Sequence, residues 1–178
     1  MNQPYSRLRI NQHQLSLFSL HSCAFLLALI LFSNLALATA QTLTITTADG
    51  HSTSLSAAQI AAAAHVAISA DDHGTPAKFE GVPLSAVLTM AGIQFGDSLR
   101  GPRLTEVVLV TAADGYKVAF ALAEADPAFA TREIILADKR DGKPLDTKEG
   151  PFRVVAPGDK RPARWIRQVI ELKVVAVK

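Results

Sequence analysis

Cysteine is nearly absent from this sequence of 178 residues, and the one that it has, Cys23, lies close to the N-terminus. Beyond residue 23 the chain therefore has no thiolate that could act as a nucleophile or as a soft metal ligand, and it cannot form an internal disulfide. Aromatic residues make up only 6% of the chain. A domain of this size still buries a hydrophobic core without cross-links, and the abundant alanine and valine residues supply it.

Acidic residues are also missing from the first 48 positions, whereas two arginines there give the start of the chain a positive charge. An unbroken apolar run, AFLLALILF, follows at residues 24–32, and the small residues Ala-Thr-Ala stand at 38–40. A basic start, an apolar segment and a small-residue site in this order are typical of a secretory signal peptide. The sequence predicts a signal peptide at residues 1–40, cleavage after Ala40, and a mature domain at residues 41–178.

An uncleaved membrane anchor is the alternative to a signal peptide. The apolar segment, even when it is extended to Ala38, has 15 residues, whereas a spanning helix needs roughly 20. The first two arginines are separated by a leucine and form no Arg-Arg pair, which indicates export as an unfolded chain rather than by the twin-arginine route. We therefore expect a periplasmic or secreted protein that has no stable membrane anchor after cleavage.

Charge is balanced over the predicted mature domain but is unevenly distributed along it. Residues 41–178 contain 16 basic and 16 acidic side chains, yet residues 41–138 hold 5 basic against 11 acidic and residues 139–178 hold 11 against 5. The basic C-terminal part either presents a positive face to an anion or pairs with the acidic part across the folded surface. A neutral exported domain is not typical of nucleic-acid-binding proteins, so we expect no nucleic-acid partner.

Segments with strand character outnumber those with helical character. Alternating β-branched residues and Asp-Gly turn signals predict strands, while alanine-rich and proline-initiated stretches predict short helices. The predicted strands are residues 43–47, 65–69, 106–112, 116–121, 131–137, 152–156 and 164–177, and the predicted helices are residues 57–64 and 83–90. No repeat or low-complexity linker interrupts them, so we expect a single α+β domain with a β-rich mixed core and short helices.

Four segments, taken in their order and spacing, resemble a known family. They are Phe-Glu-Gly-Val-Pro-Leu at 79–84 with Met-Ala-Gly at 90–92, Asp-Gly-Tyr at 114–116, residues 135–145, and the stretch from Gly150 through Lys160 to Ile166. Together they are similar to the molybdopterin-binding domain of the sulfite oxidase family, in particular to its small stand-alone secreted members. The resemblance spans roughly residues 43–175 and implies the fold of that family.

Catalytic members of this family bind molybdenum through a cysteine in the segment before the Gly-Val-Pro-Leu turn. The corresponding residues here, 65–78, contain no cysteine, and serine or aspartate does not replace a soft thiolate ligand in kind. We therefore expect a non-catalytic relative that binds a ligand or a protein partner, with no bound cofactor and no catalytic or metal-ligating residue. The alternative is a genuine molybdopterin-dependent oxidoreductase that uses an unusual metal ligand or shares its site with a partner.

Other candidate sites rest on fewer residues. Asp71, Asp72 and His73 could supply oxygen and nitrogen ligands to a metal, but the Asp-Asp-His-Gly-Thr-Pro stretch that they begin is also typical of a solvated loop. His51 and His65 are isolated in the sequence, which favours a surface role or a hydrogen-bonded place in the core. The chain has no glycine-rich phosphate-binding loop and no nucleophile-elbow motif.

A basic cluster near the C-terminus is the main candidate for a binding site. Arginine forks match phosphate or carboxylate, and aromatic rings offer a flat face for stacking. In the resembling family this region lines the pterin-phosphate pocket. We expect the cluster to converge on one concave surface and to bind an anionic small molecule or a periplasmic protein; the alternative is a solvated basic turn with Trp165 in the core. The predicted binding residues are Tyr116, Arg153, Lys160, Arg161, Arg164 and Trp165.

Overall fold

Short strands dominate residues 41–177, the part of the chain that the computed structural model describes. The predicted signal peptide, residues 1–40, lies outside the described residues. This part contains two helices, α1 (Ala57–Ala61) and α2 (Leu84–Met90), neither of them long and apolar enough to span a membrane. The strands are β1 (Thr42–Thr46), β2 (Ser52–Ser56), β3 (Val66–Asp72), β4 (Thr75–Pro83), β5 (Glu106–Ala112), β6 (Lys117–Ala121), β7 (Ile135–Arg140), β8 (Lys143–Pro144), β9 (Arg153–Val155) and β10 (Val169–Ala176).

The strands form two five-stranded sheets. In the first sheet the order is β2-β1-β10-β5-β6, and all neighbouring pairs are antiparallel except β1 and β10, which run parallel. The last strand of the chain therefore lies in the centre of this sheet, between β1 and β5. The second sheet has the order β3-β4-β7-β8, and β9 also pairs with β7. The predicted α+β fold with a β-rich core is confirmed.

Alternating side chains along the strands explain how the two sheets bury a common core. In β1, Leu43 and Ile45 are fully buried while their neighbours are not, and β10 directs Leu172 and Val174 inward. Buried side chains of both sheets and of α2 belong to one hydrophobic cluster. Aliphatic residues make up most of this cluster, as the composition of the chain predicts.

Local sequence signals determine where both helices begin. Ser56 caps α1, because its Oγ accepts the Gln59 N–H at 3.2 Å while the Gln59 side chain accepts the Ser56 N–H at 2.9 Å. The helix ends at Ala61, three residues before its predicted end. Helix α2 begins directly after Pro83, and Gly92, with a φ of +87°, follows its C-terminus.

The Asp-Asp-His-Gly-Thr-Pro stretch, predicted as a polar loop, is instead a tight β-hairpin. Asp72 ends β3 and Thr75 begins β4, so only His73 and Gly74 form the turn. Both turn residues have positive φ, +57° and +86°, as a type I′ turn requires. The loop prediction is wrong because polar residues that belong to the strand ends look like turn residues in the sequence.

Two further strand boundaries differ from their prediction. The strand predicted at residues 131–137 begins only at Ile135 and continues to Arg140. The strand predicted at residues 164–177 begins at Val169, since a 3-10 turn (Pro162–Arg164) and an irregular segment precede it. Strands β2, β4 and β8 have no predicted counterpart. In β2 the reason is a Ser-Thr-rich sequence that lacks an apolar alternation.

Gly81 lies within β4, near its C-terminal end, and not in a turn, although its Gly-Val-Pro context predicts one. A β-bulge interrupts the pairing of β4 with β7 here, since Glu80 pairs with Lys139 but Gly81 pairs with Ala137. A Cβ atom on residue 81 would overlap the Leu136 carbonyl oxygen and the Ala137 Cα. The two strands therefore approach so closely that only glycine fits.

Replacing Gly81 by alanine is expected to destabilise the fold by about 3 kcal/mol, because the added methyl group meets backbone atoms that cannot rotate away. Chemical denaturation would show this as a lower midpoint. Gly158→Ala is the matched control, since the nearest atom to a Cβ there is 3.6 Å away in the flexible Arg132 side chain. The control should stay within about 0.5 kcal/mol of wild type. Equal midpoints for the two variants would contradict the close approach of β4 and β7.

Candidate functional site

A buried ion network lies at the end of β3, where Asp72 meets Arg153 of β9. The Arg153 side chain is 2% exposed, and its guanidinium donates two hydrogen bonds to the Asp72 carboxylate, at 2.8 and 3.0 Å, and one to Glu149 at 2.9 Å. Arg140 of β7 bridges the same two carboxylates at 3.0 and 3.3 Å. Two cations and two anions thus form a neutral cluster that joins three strands of the second sheet.

Aromatic rings enclose the Arg153 guanidinium. Its Cζ atom lies 5.2 Å from the centre of the Phe79 ring and 5.8 Å from that of the Trp165 ring, and the two rings meet edge to face at 6.0 Å. Burial alone would raise the pKa of Asp72, but the hydrogen bonds and charge of Arg153, together with the charge of Arg140, hold that pKa below its usual value. Asp72 is therefore ionised at neutral pH and committed to this network.

A concavity with a volume of about 350 Å³ opens beside this network. It is formed by the turn after β3, the β5–β6 hairpin, the turn that precedes β9 and the segment that precedes β10. Trp165 belongs to both features, because its ring lies near Arg153 and the residue, although only 4% exposed and part of the core, also lines the concavity. The lining side chains that carry a charge or a ring are His73, Asp114, Tyr116, Lys148, Trp165 and Arg167.

Local hydrogen bonds bring Lys148 and Arg167 to the same wall. The Asp146 carboxylate accepts the N–H groups of Lys148 and of the following residue, at 2.8 and 3.0 Å, and so shapes the turn that carries Lys148. Gln168 donates its backbone N–H and its side-chain amide to two carbonyls of the same turn, at 2.9 and 2.8 Å. Because Arg167 precedes Gln168, these bonds place it next to the turn.

The β5–β6 hairpin adds a phenol ring to this wall. Asp114 Oδ1 accepts the Tyr116 N–H at 2.9 Å, and the Tyr116 hydroxyl donates to the Ala163 carbonyl at 3.3 Å. Tyr116 remains 54% exposed. Lys148 and Arg167 are also exposed, and neither forms an ion pair with any residue from 41 to 177. The concavity therefore combines two cations that have no ion-pair partner in this part of the chain with an accessible aromatic ring.

Arg164 does not line this concavity, and two carboxylates neutralise it. Its guanidinium donates to Asp159 at 2.6 and 2.9 Å and to Glu124 at 3.1 Å, and it stacks on the Phe120 ring at 4.3 Å. The Asp159 hydrogen bonds, followed by those of Glu124, raise the pKa of Arg164 above its ordinary value. A further bond at 3.3 Å reaches the Ala119 carbonyl of β6. Arg164 thus fastens its loop to the outer strand of the first sheet.

The four cations of the predicted binding cluster do not converge on one concave site. Arg153 is held in the ion network, and Arg164 pairs with two carboxylates. Lys160 and Arg161 are exposed on the loop before Arg164 and do not line the concavity. Of the six residues that the sequence predicts for binding, only the two aromatic ones lie at the concavity.

The sequence gives Lys148 no predicted role, offers His73 only as a possible metal ligand, and places Arg167 just beyond the basic cluster without including it among the predicted binding residues. Arg167 lies in a segment that predicts a strand, but the next residue, Gln168, adopts a positive φ of +50° that its residue type does not indicate. His73 lies in a segment that predicts a loop. For Lys148 the sequence does contain a signal, because Asp146 indicates the turn that carries it. An aspartate side chain commonly accepts a hydrogen bond from the backbone N–H two residues further along the chain.

The donor atoms near the concavity do not match the molybdenum ligation of the resembling family. Residues 65–78 offer no thiolate, and Asp72 already binds Arg153 and Arg140. Within residues 41–177 no group of three or more His, Cys, Asp or Glu side chains is arranged to hold a metal ion. The residues present therefore do not fit molybdenum held through a cysteine.

Asp72→Asn is expected to destabilise the protein by about 3–5 kcal/mol at pH 7, because the buried Arg153 loses the carboxylate that accepts two of its hydrogen bonds and keeps only Glu149 as a charged partner within residues 41–177. The pKa of Asp72 is lowered in the folded state. Its stabilisation is therefore complete above the unfolded value of about 3.9 and is lost as the pH falls through the folded value. Urea unfolding should show a gap between variant and wild type at pH 7 that narrows in acid.

The matched control for this comparison is Asp97→Asn, which changes an exposed carboxylate. We expect no comparable gap for the control at any pH. A gap for Asp72→Asn that keeps the same size from neutral to strongly acidic pH would contradict the assigned role of the ionised carboxylate.

Comparison with solved structures agrees with the observed fold. The sulfane dehydrogenase SoxCD from Paracoccus pantotrophus is similar, with a TM-score of 0.61 and 15% sequence identity, over 76% of this chain and 38% of that chain. This chain therefore spans well under half of that protein's chain, and at this identity the similarity concerns the fold alone. Among curated proteins, none matches the sequence significantly.

A sequence profile gives the more specific result. The profile of the family described as "oxidoreductase molybdopterin binding domain" matches residues 31–177, which is most of the chain. The same family is the one that the four ordered segments resemble. On the extent of this match, the chain belongs to the oxidoreductase molybdopterin-binding domain family.

Proposed function

We propose that this chain is an extracytoplasmic, non-catalytic member of its family that binds an anionic small molecule in the concavity beside Trp165. The observation that carries the proposal is the pair of exposed cations, Lys148 and Arg167, which line that concavity without a carboxylate partner among residues 41–177. A negative group held between them gains charge-assisted hydrogen bonds from both. The adjacent Tyr116 ring offers a face on which a planar part of the ligand can stack.

The distribution of charge supports this choice of site. Arg140, Arg153 and Arg164 are all paired with carboxylates, so an anion would have to displace an existing partner there. At the concavity the acidic lining residue is Asp114, and its carboxylate already accepts a backbone N–H of the hairpin. The balance of charge at this wall is therefore positive.

The lack of a thiolate supports a role without redox chemistry at molybdenum. The family is described by its molybdopterin cofactor, but this chain has no cysteine after residue 23. The segment at residues 65–78 instead supplies Asp72 to the ion network and His73 to the concavity. The predicted signal peptide also favours export as an unfolded chain, whereas enzymes that carry this cofactor are expected to load it before export. Both features support a binding protein.

The double variant Lys148→Ala/Arg167→Ala is expected to bind inorganic phosphate and benzoate at least about tenfold more weakly than wild type. Each lost charge-assisted bond in a partly exposed site costs on the order of 1 kcal/mol. Trp165 is the only tryptophan and lines the concavity, so its fluorescence can report binding, and calorimetry gives the affinity. Phosphate probes the cations alone, while benzoate adds a ring that can stack on Tyr116.

Lys160→Ala/Arg161→Ala is the matched control, because it removes the same charge from the neighbouring exposed loop. It should leave the affinity within about twofold of wild type. Equal weakening in both double variants would contradict a defined site at the concavity. So would binding that about 0.5 M salt abolishes to the same degree in all three proteins, since only diffuse attraction is screened in that way.

The second candidate function is a molybdopterin-dependent oxidoreductase that has an unusual metal ligand or a site completed by a partner subunit, and family membership favours it. Elemental analysis of protein purified from the periplasm separates the two candidates, and its intact mass tests the predicted cleavage. We expect no stoichiometric molybdenum and a chain that begins at Gln41. About one molybdenum per chain, with pterin released on denaturation, would overturn the non-catalytic proposal. A retained N-terminal segment would contradict the predicted cleavage alone.

A further inference from the structure

His65, directly before β3, lies between two hydrogen-bond acceptors. Its Nδ1 is 2.8 Å from the Ala63 carbonyl oxygen, and its Nε2 is 3.0 Å from Asp138 Oδ2. A carbonyl and a carboxylate cannot donate, and a neutral imidazole has a single N–H, so only the imidazolium makes both hydrogen bonds. The geometry therefore fits a protonated ring.

Asp138 is the reason that this contact depends on charge. It is the extra residue of the β-bulge in β7, because the residues on either side of it pair with consecutive residues of β4. Its side chain is 16% exposed, and its Oδ1 is buried without a hydrogen-bond partner within residues 41–177. In that part of the chain His65 is its only ion-pair partner. The carboxylate is thus stabilised mainly by the positive charge of the ring.

Strand β3 is fastened differently at its two ends. It is an edge strand, and β4 is its only hydrogen-bonded neighbour in the described sheet. At its C-terminal end Asp72 is anchored by Arg153, and His73 then turns into the wall of the concavity. At its N-terminal end the contact of His65 with Asp138 holds the strand to β7, which is not its neighbour in the sheet.

We propose that His65 is a pH-sensitive tie between the α1–β3 connection and the bulge of β7. The protonated ring binds the Ala63 carbonyl and the Asp138 carboxylate together. Loss of the proton removes one of the two hydrogen bonds and the ion pair at once. The start of β3 is then released while its other end stays anchored in the ion network, so the edge strand loosens from one end.

The charges that face His65 give the sign of the pH dependence. Burial lowers the pKa of His65, but the hydrogen bond and charge of Asp138 and the bond to a backbone carbonyl outweigh burial and the opposing charge of Lys139, so the pKa is raised. Glu80, on the intervening strand β4, is engaged with Lys78 at 3.4 Å. The stabilisation is therefore complete below the unfolded pKa of about 6.5 and is lost as the pH rises through the folded value.

Thermal unfolding of wild type and His65→Gln across about pH 5 to 9 tests the proposal. Near the acid end of that range the variant should melt about 3–6 °C lower, because it lacks the charge that Asp138 requires. The difference should shrink as the pH rises past the folded pKa of His65. His51→Gln is the matched control, since His51 is exposed and its replacement should leave the melting temperature close to that of wild type.

An NMR titration of the His65 ring tests the same proposal without relying on the folding of that variant. In wild type the ring should titrate above about 6.5, and in Asp138→Asn its midpoint should fall. A His65 midpoint at or below that value in wild type would overturn the proposal. A melting difference between wild type and His65→Gln that stays constant over the whole pH range would overturn it as well.

Discussion

A guanidinium that is only 2% exposed must be neutralised, because an uncompensated charge in a protein interior costs several kcal/mol. In this domain Asp72 meets that requirement for Arg153, and Glu149 and Arg140 complete the balance. The network joins β3, β7 and β9, and the Phe79 and Trp165 rings close over it. The need to neutralise Arg153 therefore determines how the ends of three strands meet and how two aromatic rings pack.

The same network also determines the geometry of the candidate site. His73 follows Asp72, Lys148 precedes Glu149, and the Trp165 ring packs near Arg153. Each of these lining residues is thus adjacent, along the chain or in space, to a member of the network. A substitution in the buried network would therefore also shift the residues that line the concavity, although the substituted residue itself contacts no ligand. The reason is that the network has a fixed geometry and little room to adjust.

The sequence predicts the structural features that depend on neighbouring residues. It misses those that depend on partners far away along the chain. The Asp-Gly turns and the start of α2 after Pro83 follow from neighbouring residues, and the structure has them. For the cap of α1 the sequence leaves Ser54 and Ser56 open, and the structure has Ser56. Asp72 looks like a loop residue because its partner Arg153 is 81 positions away. The arginines resemble a free anion site partly for the same reason, since Asp72 and Glu124 come from the distant acidic part of the chain. Their other partners, Glu149 and Asp159, lie only four and five positions away. The alternative in which opposite charges meet across the fold holds for the pairs that Asp72 and Glu124 form.

The position of β10 has a consequence for the order in which the domain can form. Strand β10, which comes last among the described strands, lies in the centre of the first sheet, between β1 and β5. Strand β1 pairs with β10 across more than a hundred residues of intervening chain, so this contact closes a long loop and cannot form until β10 is available. Domains rich in such distant pairings fold slowly. The first sheet is therefore complete only when β10 has paired between β1 and β5.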